Sequence, residues 1–365
     1  MNLLADHILR EGDGAVEMQH QQSPNDRLWI VRNDGEIAVL TRNSGQEVMG
    51  WSRIVAGSTV MGPGLFESIA IIQQDSGDDQ VWVIVNRLMH DGSVKRYVEF
   101  FTGETFDNDW DAVRVDCSLT YDTPKTITNA TKANPVVISA AAHGFSDGDQ
   151  VKIDNIIGMS SAGVYGTHNL NGNTYIVAGQ SAGSFHLHTL AGDNVDGTLY
   201  ATYIEGGKVR KMVTALSGLD HLEGETVSVT VDGVLPTTTK TYEVTSGAIT
   251  LSQKAAVAHV GLPYVGDIQL LKLSEGNPLG TGQGSMRRVY KTVLRVDRSL
   301  GAKIGKDANS LSEVFDTTDT ALVTGDRSPL IATGWNKDDE ILIRQNVPLP
   351  FNLLSVILVS ECEEP

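Results

Sequence analysis

The stretch RLWIVRNDGEIAVLTRNSGQEVMGWSRI, from Arg27 to Ile54, alternates short β-branched and aromatic runs with Asn-Asp-Gly and Asn-Ser-Gly. A tight hairpin needs positive φ at its centre, which Gly and Asn accept and β-branched residues resist. Three strands joined by such turns make an antiparallel meander. The pattern returns in DQVWVIVNRLMHDGSVKRYVEFF, where Trp82 follows Trp29 by 53 positions and Asp91-Gly92 takes the place of Asp34-Gly35. A repeat of roughly 50 residues with three or four strands per unit has the size of a β-propeller blade. A closed propeller takes about 4–8 blades, so two units are expected to belong to a larger architecture.

The rhythm changes near Thr123. From Lys125 to Lys211 the chain has its own succession of strand, Gly-Asx turn and strand with few charged runs, which reads as a small β-barrel or sandwich inserted as a unit. Beyond it, Val227, Val229 and Val231 alternate with Thr226, Ser228 and Thr230, the period of two of a half-buried strand. Further strands are expected at 240–244, 248–251, 256–260, 267–273, 289–296, 341–344 and 353–359. Helix signals are scarce outside residues 3–10. The expected fold class is all-β: partial propeller-like meanders plus β-sandwich or barrel domains, with one short N-terminal helix. The expected division is 1–123 for the meander repeats, 124–212 for the inserted barrel, and 213–365 for a C-terminal β domain packing on 1–123.

Composition narrows the chemistry. The 365 residues carry 45 acidic and 28 basic side chains, a formal charge of −17, which opposes wrapping of duplex nucleic acid through its phosphates. Two cysteines, Cys117 and Cys362, stand far apart, so neither a disulfide framework nor a cysteine-rich metal site is indicated. No secretory leader is read at the N-terminus, and the longest apolar run, Leu353 to Val359, falls short of the roughly 20 residues of a membrane-spanning helix. A soluble chain with no membrane anchor is expected.

Candidate chemical motifs are few. GLDHLEGETVSVTVDG places Asp220, His221, Glu223 and Glu225 within six residues, ingredients of a metal site or of a decorated turn entering a strand. His186 and His188 share a strand face at a spacing that can hold a metal, with His143 and His168 in the same segment, but no third ligand has an identifiable spacing. DNDWD, Asp107 to Asp111, lacks the full calcium-loop pattern and reads as a solvated turn. GTGQGS, Gly280 to Ser285, lacks the Lys-Ser/Thr ending of a phosphate loop. No His-Glu-x-x-His motif occurs. Arg287, Arg288, Lys291 and Arg295 form a positive stripe on an acidic chain, suited to an acidic neighbouring subunit. The expectation is a chain that is not an enzyme and has no cofactor. Asp220, His221, Glu223, Arg287, Arg288, Lys291 and Arg295 are the candidate subunit contacts.

Three strings in this order, DHILREGDGAVEMQHQQSPNDRLWIVRNDGEIAVL, SIAIIQQDSGDDQVWVIVNRLMHDGSVKRYVEFF and SGLDHLEGETVSVTVDG, with GTGQGSMRRVYKTVLRVDRSLGAKIG downstream, resemble the C-terminal half of the tail nozzle proteins of short-tailed bacteriophages, also called tail tubular or stabilisation proteins. The resemblance spans residues 1–123 and 213–365. It implies a structural protein of the virion tail, made in the host cytoplasm: a ring, commonly a hexamer, built around a partial β-propeller below the portal and adaptor rings, through which phage DNA passes without specific binding. The implied partners are further copies of the chain, portal-side adaptor proteins, and tail fibre or tip proteins. Met1 stands where the second half of such proteins would begin, so a separately encoded N-terminal nozzle half, a split gene, or completion of the repeats by oligomerisation are the alternatives. The segment 125–211 is similar to the first catalytic cysteine half-domain of ubiquitin-activating enzymes. It has no cysteine, so the activity does not carry over. The rival expectations are a host-surface receptor-binding module of the tail tip and a tail-associated hydrolase.

Overall fold

The computed structural model describes the chain except residues 1–4, 13, 44, 76, 105, 164–165, 239–240, 272–275, 278–279, 282–285, 317–318, 320, 332–333, 336–339 and 363–365. The fold is all-β, with one short α-helix among the described residues, at Asp6–Arg10. GTGQGS lies largely outside the described residues, apart from a two-residue strand at Gly280–Thr281.

The first repeat is a four-stranded antiparallel sheet, Ala15–Gln21, Asp26–Arg32, Ile37–Asn43 and Val48–Ile54, in chain order. Its opening strand, AVEMQHQ, adds one strand to the meander read from the sequence. The second repeat is a three-stranded sheet, Leu65–Ile72, Gln80–Leu88 and Val94–Phe100. Both are blade-like meanders. Their central hairpins use the same turn: Gly35 N–H bonds the Arg32 carbonyl, Gly92 N–H bonds the Met89 carbonyl, and each Gly is left-handed with φ of 83° and 79°. The turn aspartates repeat too, Asp34 accepting from Glu36 N–H and Asp91 from Ser93 N–H. Superposing these turns sets an offset of 57 positions between Gly35 and Gly92. Trp29 and Trp82 are therefore not equivalent positions, although both point to the same side of their sheets.

The two blades stack face to face. Trp29, Val31, Ile37 and Val39 of the first meet Phe66, Ile69, Val81, Val83 and Val85 of the second in one core. Period-two alternation produces this directly, since Val81, Val83 and Val85 take one side of their strand and Trp82 and Ile84 the other. The far side of the first blade, with Leu28, Ile30, Ala38 and Trp51, is partly covered by Ile8 and Leu9 of the helix.

A third sheet joins strands distant in sequence: Asp116–Asp122, Val257–Leu262, Thr226–Val231 and Thr241–Glu243. With the pair Val213–Ser217 and Ala248–Ala255 it encloses a core that includes Leu216, Leu222, Val229 and Val260. The strand ending at Asp122 and the strand beginning at Val213 thus share one core, and residues 125–211 lie between them. That intervening segment forms a seven-stranded sheet. Lys125–Thr126 pairs with Glu205–Lys211 at one end of the strand order, and Asn129–Ala130 pairs with Val137–Ser139 at the other. Because only two residues separate those pieces, the sheet must curl until its edges meet, closing on the core around Ile138, Ile153, Phe185 and Leu187. Arg210 fastens the unit at its exit, reaching Asp122 at 2.7 Å and Asp154 at 3.2 Å.

Residues 266–362 build a further core of Leu294, Val296, Ala302, Ile304 and Ile343 between two sheets. Its longest strand pair joins Arg287–Ser299 to Asn352–Cys362, antiparallel and distant in sequence. Asp107–Asp111, expected as a solvated turn, is a junction. A 3₁₀ turn at Asp109–Asp111 presents Asp109 to Arg298 at 3.0 Å, the Trp110 carbonyl to His259 Nε2 at 2.7 Å, and the Trp110 ring to Lys152.

Candidate functional site

The segment 220–225 folds as a 3₁₀ turn, Asp220–Leu222, anchored by the fully buried Leu219 and Leu222. Its polar groups serve backbone. Glu223 accepts from Ser246 N–H at 2.8 Å and Gly247 N–H at 2.6 Å, across a turn whose two central residues are left-handed. Those N–H groups of Gly247 and Ser246 hold the Glu223 carboxyl below its usual range. Asp220 packs beside Gly247, where an added Cβ would lie 2.5 Å from its carboxylate. His221 Nε2 bonds the Cys117 carbonyl at 3.2 Å, and Tyr97 donates its hydroxyl to the His221 carbonyl at 2.8 Å.

Glu225 is fully buried and receives N–H groups from two loops of the second blade region, Val60 at 2.9 Å and His90 at 2.7 Å. The carboxylate therefore pins the blade pair to the sheet that follows the insert. Among the described residues no cluster of His, Cys, Asp or Glu could hold a metal.

Beside this turn, a cavity of about 590 Å³ opens between the second blade and the third sheet, with Phe66, Val98, Phe101 and Tyr264 on its apolar side and Glu99, Asp116, Cys117 and His221 on its polar side. A second cavity, about 490 Å³, lies between the two blades, and Phe100, Phe101 and Thr102 line both. Phe101 packs on Trp29 and Phe66, with ring centroids 5.2 and 6.2 Å away.

The polar floor is organised by Arg87, whose side chain is fully buried. Its Nη2 lies 3.0 Å from Glu99 and 3.2 Å from Asp116, and Nη1 donates to the Gly57 carbonyl at 2.7 Å. Two carboxylates thus share one guanidinium. Burial pushes the Glu99 carboxyl up to about 7 against the pull of Arg87, with Asp116 adding to the rise. The same burial and the nearby Glu99 push the Cys117 thiol well above its usual range.

Cysteine, histidine and carboxylate in one cavity are the parts of a nucleophilic site, but their arrangement is the opposite of an activated one. A reactive cysteine needs a depressed pKa and a base on its sulfur. Here the thiol is held protonated, and His221 Nε2 bonds the backbone carbonyl of Cys117. The cavity's capability is packing and charge burial at a joint. Arg87 was not singled out in the sequence, although its phase with Val81, Val83 and Val85 places it on the buried side.

The basic stripe separates. Arg287 is buried, Arg288 and Lys291 are exposed, and Arg295 makes a two-point pair with Asp326 at 2.7 and 3.0 Å. These four lie on the strand Arg287–Ser299, which belongs to a different core from the turn at 220–223. His143 is a core residue. Its Nδ1 accepts from Phe145 N–H at 3.0 Å, so the proton sits on Nε2 and is donated to the Ser181 carbonyl at 2.8 Å. His186 and His188 are half-buried on one face of Ser184–His188, and the side chain of His168 lies outside the described residues.

Fold and joint together define a class of molecule: an all-β chain with two stacked blade-like sheets, a closed inserted barrel and a rigid polar junction. No protein-family model matches the chain, and no curated protein matches it in sequence.

Proposed function

We propose that the chain is a self-assembling structural component of a bacteriophage tail, a subunit of the ring at the nozzle or hub through which DNA leaves. The observation that supports this reading is the blade pair, which ends with a sheet side rich in exposed apolar groups, Val98 at 70% and Phe100 at 51% exposure among them. Apolar surface of that kind marks an interaction site rather than a finished binding pocket. The resemblance of residues 1–123 and 213–365 to tail nozzle proteins supplies the context. The net charge of −17 suits a conduit, since acidic walls do not hold phosphates by counterion release. In this reading the chain performs no catalysis, needs no cofactor, and meets adaptor and tip proteins within the virion.

Antibody raised against the chain tests this reading on purified phage particles from its source. Labelling at the tail, below the head, is the expected result, and absence of the chain from particles would contradict it.

A second reading gives the insert a receptor-binding role at the tail tip. It draws on Leu199 and Ile204, 84% and 68% exposed on a unit whose own core is complete. Isolated host envelope that binds the full chain, and loses binding on Leu199→Asp, would favour it.

A further inference from the structure

The two blades carry the same hairpin but not the same surroundings. At the offset set by Gly35 and Gly92, Val31 corresponds to Leu88 and Ile37 to Val94. Val31 and Ile37 are 1% and 0% exposed, buried against the second blade, whereas Leu88 and Val94 are 41% and 57% exposed. The outer side of the second blade is thus the repeat of a surface that the chain itself covers with a blade. Its neighbouring positions are apolar as well: Trp82 pairs across the sheet with Phe100, their rings 5.0 Å apart, and Ile84 pairs with Val98.

The first blade carries the complementary surface. The side of the second blade that meets the first corresponds, by the same offset, to the far side of the first blade. The helix covers only part of that side: Met18, paired with Ile30, is 57% exposed, and Met49, paired with Arg42, is 52% exposed. Charge points the same way. Copies of a chain at −17 repel one another, yet these two sides are locally balanced, Glu67 pairing with Arg96 on one and Asp26 with Arg42 on the other.

We infer that the outer side of the second blade packs on the far side of the first blade of a second copy of this chain, repeating between chains the blade contact made once within each. The inference rests on the structural-component reading above and adds the surfaces it uses. Such a contact is heterologous, so copies add head to tail and close into a ring or extend, according to the rotation per subunit.

The test uses the full chain, wild type and two variants, by sedimentation velocity with circular dichroism as a folding control. Val98→Asp blocks the outer side of the second blade and Met18→Asp the far side of the first. Both positions are exposed, so both variants fold. Wild type is expected to assemble, each variant alone to remain a monomer, and an equimolar mixture to form a one-to-one dimer that grows no further. Variants that assemble as wild type does, a mixture that stays monomeric, or a monomeric wild type would overturn the inference. Assembly through other surfaces would leave the tail-component reading standing, and that reading is decided by the particle labelling. A different protein found on the second blade in place of a copy would also overturn the inference.

Discussion

The inserted unit and the blade pair are built from the same material and finished differently. In the insert, a six-residue stretch, 125–130, supplies both end strands of a seven-stranded sheet and so closes it. Its buried core is then complete within the segment. In the blade pair the sheets stack without closing, and the last one keeps Val94, Val98 and Phe100 in solvent. A closed sheet satisfies its edges internally, while an open stack leaves that work to association. The difference separates a module that can be carried anywhere from a framework that is completed by its neighbours.

The largest effect that bears on this contrast is expected inside the insert. Phe185, fully buried, packs edge-on to His143 and Phe145, and Phe185→Ala costs about 3–5 kcal/mol by loss of burial and the cavity left behind. Urea unfolding followed by hydrogen exchange should show residues 125–211 opening early while the blades keep their protection. Simultaneous loss of both would mean that the insert is not self-contained.

A smaller effect is expected at the joint. Glu225→Ala leaves the N–H groups of Val60 and His90 without their buried acceptor and costs about 1–3 kcal/mol. Faster exchange at 58–63 and 89–93, with 173–178 unchanged, would bear this out. Uniform loss across the chain would contradict the placement of the pin.

The subtlest handle is pH. The folded chain holds the Glu99 proton up to about 7, above the ordinary 4.5, so between those values the native state binds more protons than the unfolded one. This group's contribution is full below pH 4.5 and is lost as pH rises through 7. Glu99→Gln, which keeps an acceptor for Arg87, should melt with wild type at pH 4 and above it at pH 8. Parallel melting curves across that range would count against the buried, shared guanidinium.

Much of this architecture was legible because its causes are local. Asp34-Gly35 and Asp91-Gly92 announce their hairpins through backbone conformation alone, and the alternation at 226–231 became the strand Thr226–Val231, although not half-buried as its period of two implies: Ser228 and Thr230 are buried as well. The strand Ala15–Gln21 escaped notice because its alternation is between Glu or Gln and Val or Met, and its place is set by pairing with Asp26–Arg32. The roles of Glu225 and of Asp107–Asp111 were hidden for a different reason. Their long-range hydrogen-bond partners lie more than a hundred positions away, and nothing in the local pattern shows which of these groups will find a buried donor. The misalignment of Trp29 with Trp82 has the same lesson: the eye matches the rarest residue, whereas the chain matches the turn.

Imaging single particles of the purified full chain is the most direct test of blade-to-blade assembly. The expected image is a head-to-tail assembly in which the strand Val94–Phe100 of each subunit lies under the first blade of the next. An isolated monomer, or a ring in which Val98 and Phe100 face open solvent, would contradict it.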